Sequence, residues 1–114
     1  MHEFSIAMSI IEIAETEARS ANSEKILSME LNIGTMAGIE YYALDTALEM
    51  AVKNTLLENT EIKVNKIQAI ARCTDCNNEF EINHITDECP KCGCFFNDVI
   101  SGKELKIKSI VVEE

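Results

Sequence analysis

A chain of 114 residues with 46% hydrophobic side chains has room for one domain, or one domain and a small module, and is too apolar to be disordered. Its 20 acidic residues against 10 basic ones give a formal charge of −10, a field that repels phosphate backbones and anionic lipids and suits metal cations or proteins as partners. No apolar run approaches the roughly eighteen residues of a membrane helix, and the first, "FSIAMSIIEIA", lacks the basic flank of a secretory signal, so the expected compartment is the cytoplasm.

From Phe4 to about Ala21 the pattern is helical. Phe4, Ala7, Met8, Ile11, Ala14 and Ala18 recur at i, i+3, i+4 spacing, and Ile6, Ile10 and Ile13 widen the stripe to a second side. "ANSEK" is a polar break. "ILSMELNIG" then alternates, which predicts a half-buried strand with Leu27, Met29, Leu31 and Ile33 inward. Gly34 and Gly38 punctuate the chain before a second helix, predicted from about Ile39 to Lys53. Ile39, Ala43, Ala47 and Met50 mark one face of it, broadened by Leu44, Leu48 and Ala51. "EIKVNKIQAIAR" reads as a strand whose phase slips near Lys66, so that either a bulge absorbs the slip or the strand ends there.

Residues 73–94 are short, cysteine-rich and without helical period. "ELKIKSIVV" is strand-like again, and since no strand is stable alone its natural partners are the strands at 25–33 and 61–70. The expected architecture is therefore α+β. A small α/β domain, two helices packed on a small mixed sheet, is built by residues 1–70 and 103–114. A β-rich ribbon module at 71–102 is inserted into it.

All five cysteines, Cys73, Cys76, Cys89, Cys92 and Cys94, fall within this module, and an odd, clustered set argues for metal rather than disulfides. "CTDC" and "CPKC" give two C-x2-C pairs separated by twelve residues. Each pair lets a tight turn aim two sulfurs at one ion, and two such turns joined by a hairpin through "EFEI" close a tetrahedral thiolate shell for zinc. Iron at the same four thiolates, or a pair of redox dithiols, are the chemical alternatives. Four protein ligands leave no open position, so this ion would be structural. The glycine of "CPKCG" is expected where the backbone passes close to sulfur. Cys94 is a leftover, expected as a small apolar residue or idle thiol, and His84 as a surface histidine. Two basic side chains, Arg72 and Lys91, against five acidic ones oppose a phosphate-tracking ribbon.

The chain begins "MHE". The amine of Met1, the amide of His2 and the His2 Nδ1 can form two fused chelate rings around one ion, with the Glu3 amide or a carboxylate as a fourth donor. Nitrogen-rich square-planar coordination is what Ni(II) and Cu(II) prefer, and zinc fits it less well. On the residues alone, a frayed terminus with a chance histidine is the rival explanation.

"MHEFSIAMSII", "IGTMAGIE", the paired cysteines ending in "CPKCG" and "SGKELKIKSIVVEE" occur in one order across the whole chain. Together they resemble the HypA/HybF family, the nickel-delivery proteins of [NiFe]-hydrogenase maturation. The resemblance implies an α/β nickel-binding domain with a zinc domain inserted before the last strand. It implies nickel at Met1, His2 and Glu3, with Glu40 as a weaker fourth, and zinc at Cys73, Cys76, Cys89 and Cys92. The favourable charge of a carboxylate at a helix N-terminus is the competing role for Glu40. Nickel would be transient cargo and zinc structural. The implied partners are the HypB nucleotide-binding protein and the hydrogenase large subunit, with urease a further client in some relatives, and no enzymatic activity is expected. A homodimer is compatible with the sequence, including one formed by exchange of the inserted module. The alternative is a zinc-ribbon adaptor or transcription-type factor without nickel delivery.

Overall fold

The computed structural model describes residues 3–114, so the assignments made to Met1 and His2 lie outside the described residues. The elements are α1 (Glu3–Ser20), β1 (Ile26–Gly34), α2 (Tyr41–Ala51), β2 (Glu61–Ile67), β3 (Ile70–Cys73), β4 (Glu79–Glu81), β5 (Asn97–Ser101) and β6 (Leu105–Val112). The fold is α+β, with two helices and two three-stranded sheets ordered β2-β1-β6 and β4-β3-β5. The chain forms two compact units. One comprises the segment up to Leu31 with Ile39–Val64 and Ile107–Glu114, and the other Asn32–Gly38 with Asn65–Lys106.

In the first unit α1 packs on α2. The buried side of α1 is Ile6, Ala7, Ile10, Ile11, Ala14 and Ala18. Phe4 and Met8, expected on this face, are half exposed. The stripe centres on three fully buried alanines, whose small side chains let a neighbouring backbone approach, and the bulkier residues fall at its edge. The helix ends where Asn22 takes φ 58°. There the Ser23 amide donates to Ala18 O (2.9 Å) and the Asn22 amide to Arg19 O (2.9 Å), a left-handed C-terminal cap. α2 buries Leu44, Ala47, Leu48 and Ala51. Met50, predicted inward, is exposed, so the helix turns toward the set expected only to broaden its face.

β1 buries Met29, Leu31 and Ile33 as expected, but Leu27 is exposed and Ile26 is buried instead. Two residues separate Ile26 from Met29, so the alternation of burial slips by one place at the start of the strand. The sheet is mixed. The Glu113 amide bonds Lys25 O and the Gly34 amide bonds Glu104 O, so β6 runs antiparallel to β1. Thr60 Oγ1 bonds Ile26 O at one end and the Thr35 amide bonds Ile67 O at the other, so β2 runs parallel to β1. The last strand thus returns to lie beside the first.

The phase slip near Lys66 is a strand end. β2 stops at Ile67, and after two intervening residues β3 begins in the other sheet. β3 pairs antiparallel with β4, Ala71 opposite Phe80, and with β5, Cys73 opposite Asn97. The second unit is larger than the module at 71–102. The turn after β1 joins it through Met36 N to Gly102 O (2.8 Å) and Ala69 N to Thr35 Oγ1 (3.0 Å). Gly34 is there because a Cβ would land on the Gly102 carbonyl. The core of this unit is small: Ala69, Ala71 and Ile82, with Met36, Phe80 and Val99 packed against them.

Candidate metal centre

Each C-x2-C pair sits in the same backbone knuckle. In the first, the Asn77 amide bonds Cys73 O (3.0 Å) and the Cys73 amide bonds Asn78 O (2.9 Å). In the second, the Gly93 amide bonds Cys89 O (2.8 Å) and the Cys89 amide bonds Cys94 O (2.9 Å). Both turns need a left-handed residue one place after the second cysteine, supplied by Asn77 (φ 60°) and Gly93 (φ 77°). The space around Gly93 is open, so its role is this dihedral and not the expected close passage by a sulfur.

The knuckles bring Cys73, Cys76, Cys89 and Cys92 together with all four Sγ atoms within 4.8 Å of one another. Cys73 and Cys92 are 3.4 Å apart, and Cys76 and Cys89 3.7 Å. Sulfurs held about 2.3 Å from a central zinc would stand about 3.8 Å apart, so the donor set fits a tetrahedral ion. Cys73 and Cys89 are buried while Cys76 and Cys92 face solvent.

Electrostatics divide the sulfurs. Burial opposes ionisation of Cys89, yet the amides of Cys92 and Lys91 and the Asn78 side chain, 3.7 Å from its sulfur, bring its pKa down to about 6. Amide donors, chiefly that of Cys76, also lower Cys73. Cys92 is pushed up to about 12: the Cys94 amide favours its thiolate, but the neighbouring Cys73 sulfur and burial outweigh it. Cys76 is raised, with burial and the Cys89 sulfur prevailing over the Asn78 amide. In each knuckle one sulfur is shifted toward its thiolate and opposes ionisation of the exposed sulfur of the other knuckle, an accumulation of charge that a divalent cation relieves.

At the start of α2, Glu40 is the N-cap. Its carboxylate accepts from the amides of Tyr42 (3.2 Å) and Ala43 (2.7 Å). The carboxylate of Glu3, in the first turn of α1, accepts from the Glu40 amide at 3.3 Å. Two carboxylates 37 positions apart in sequence thus meet at one helix N-terminus, where the dipole favours negative charge.

The family model described as "Hydrogenase/urease nickel incorporation, metallochaperone, hypA" matches residues 1–112. The chain belongs to the HypA family. It is 38% identical to the hydrogenase maturation factor HypA of Parabacteroides distasonis, across 100% of this chain and 99% of that one. It is 37% identical to that of Francisella philomiragia, across 97% and 98%. The solution structure of the Ni metallochaperone HypA from Helicobacter pylori superposes with a TM-score of 0.70 at 23% identity, across 98% of this chain and 97% of that one, a likeness of fold.

Of the residues the HypA resemblance singled out, the structure gathers the four cysteines, and separately Glu3 with Glu40. Cys94 stays outside the thiolate group, its sulfur turned to the Phe96 amide (3.4 Å), and His84 is exposed. Asn78, which donates to a cysteine sulfur, and Asn97, whose amide holds the second knuckle, were missed. Aligning "CTDCNN" with "CPKCGC" finds the paired left-handed positions and shows that Cys94 is the counterpart of Asn78.

Proposed function

We propose that this chain is a nickel metallochaperone for [NiFe]-hydrogenase maturation. The observation that carries the proposal is the match of the whole chain, residues 1–112, to a nickel-incorporation family. Ni(II) is the cargo. The amine of Met1, the amide and imidazole of His2, and Glu3 hold it, with Glu40 as a weaker fourth. The bond from the Glu40 amide to the Glu3 carboxylate supports this arrangement, because it brings both acidic groups to the start of α2. Such a chelate is made of few atoms and opens when imidazole and amide are reprotonated, so it can release what it binds.

Cys73, Cys76, Cys89 and Cys92 hold a structural zinc. With all four positions filled by protein, that ion has no site for substrate, and the chain acts as a carrier and not a catalyst. Among the described residues no helix is long and apolar enough to cross a membrane. The cytoplasm, where thiols stay reduced, is the compartment proposed. The recipients proposed are the nucleotide-binding maturation protein HypB and the hydrogenase large subunit.

The test is metal stoichiometry in the untagged protein. His2→Ala abolishes stoichiometric nickel binding and leaves zinc content intact, and one extra residue before Met1 weakens nickel binding by displacing the amine. Nickel affinity unchanged in both variants removes the proposal.

A further inference from the structure

We propose that Asn97 is a positioning residue for the four-thiolate site, a joint that sets the distance between its two knuckles. The inference rests on the reading that these cysteines hold zinc. The backbone of Asn97 belongs to the first knuckle: in the β3–β5 ladder it lies opposite Cys73. The preceding carbonyl, of Phe96, accepts from the Thr74 amide (3.1 Å) and the Thr74 hydroxyl (2.6 Å). The side chain of Asn97 belongs to the second knuckle. Its Nδ2 donates to Asp87 O (3.1 Å) and Cys94 O (3.1 Å), carbonyls two residues before Cys89 and two residues after Cys92. Cys94 O also accepts from the Cys89 amide, so the joint reaches a ligand's own backbone through one atom.

The chemistry selects asparagine. Two carbonyls require two N–H donors on one short stem, which a primary amide has. Aspartate would aim only acceptors at them, and leucine would match the shape without bonding. Asn97 Oδ1 is buried with no hydrogen-bond partner. A stranded acceptor is a cost that a hydrocarbon side chain would avoid, so the donors are what asparagine contributes at this position.

The experiment uses the full-length zinc-loaded protein and compares Asn97→Leu, Asn97→Asp and Asn97→Ser with Ile82→Val, a core change in the same unit. Zinc release to excess chelator, the ligand-field absorption of the Co(II)-substituted site and the thermal midpoint are measured for each. Leu and Asp release zinc roughly 10–100-fold faster and shift the cobalt bands, the scale on which loss of the outer support of a metal site acts. Ser, with one donor, falls between them and the native protein. Ile82→Val lowers the midpoint and moves neither metal readout. Asn97 variants that hold zinc like the native protein, or lose it only as Ile82→Val does, overturn the joint. A native protein that retains no zinc overturns the site itself, and the joint with it.

Discussion

Asn77 and Gly93 hold equivalent places in the two knuckles, both left-handed, yet only one is glycine. A side chain with a Cβ is strained there by about 1–2 kcal/mol, and asparagine relieves part of that by local hydrogen bonding. Chemical denaturation of the zinc-loaded protein should therefore show Gly93→Ala destabilised by about 1 kcal/mol or more and Gly93→Asn by less. Glu40 is a second residue whose local duty is visible, since its carboxylate satisfies two amides of α2. Glu40→Ala should cost about 1 kcal/mol, and Glu40→Asn, a strong N-cap without the charge, should restore most of it. Nickel titration of the Asn variant then separates the cap from any part that the charge plays in holding cargo.

Within the elements, periodicity announced both helices but not which side of each meets its neighbour. α1 carries apolar residues on more than one side, and the packed side is the one lined by Ala7, Ala14 and Ala18. In α2 the choice falls on Leu44 and Leu48 over Met50. Urea denaturation should show Leu44→Ala losing about 2–5 kcal/mol and Met50→Ala changing stability by about 0.5 kcal/mol or less. β1 and β6 were legible because alternation survives over several residues. β5, "NDVIS", was not, because it carries too short an apolar pattern and owes its conformation to pairing with β3. The parity change near Lys66 was visible in sequence. Its cause, a strand leaving one sheet for another, is a tertiary fact.

Across the molecule the two units are stabilised by different means. The first has two packed helices and an extended set of buried aliphatic residues. The second has the small core cluster of Ala69, Ala71 and Ile82, and a structural zinc contributes on the order of 10–16 kcal/mol to modules of this kind. Chelation should therefore strip hydrogen-exchange protection from β3, β4 and β5 while α1 and α2 keep theirs. Acid should act in the same direction. Cys92, at about 12, is a thiol at neutral pH without metal, so zinc must displace a proton to bind it, and retention falls as pH falls. The thiolate site was legible because its spacing encodes the geometry directly. The terminal chelate is an expectation drawn from the donor chemistry of "MHE" and favoured by resemblance, since three residues have no periodicity to read and two of them lie outside the described residues. Everything said of delivery depends on nickel and zinc occupying separate places. X-ray absorption at the nickel edge, on zinc-loaded protein with one equivalent of Ni(II), is the direct test. The account predicts a first shell of nitrogen and oxygen alone, lost in His2→Ala. Nickel–sulfur scattering, or a native spectrum in that variant, would contradict it.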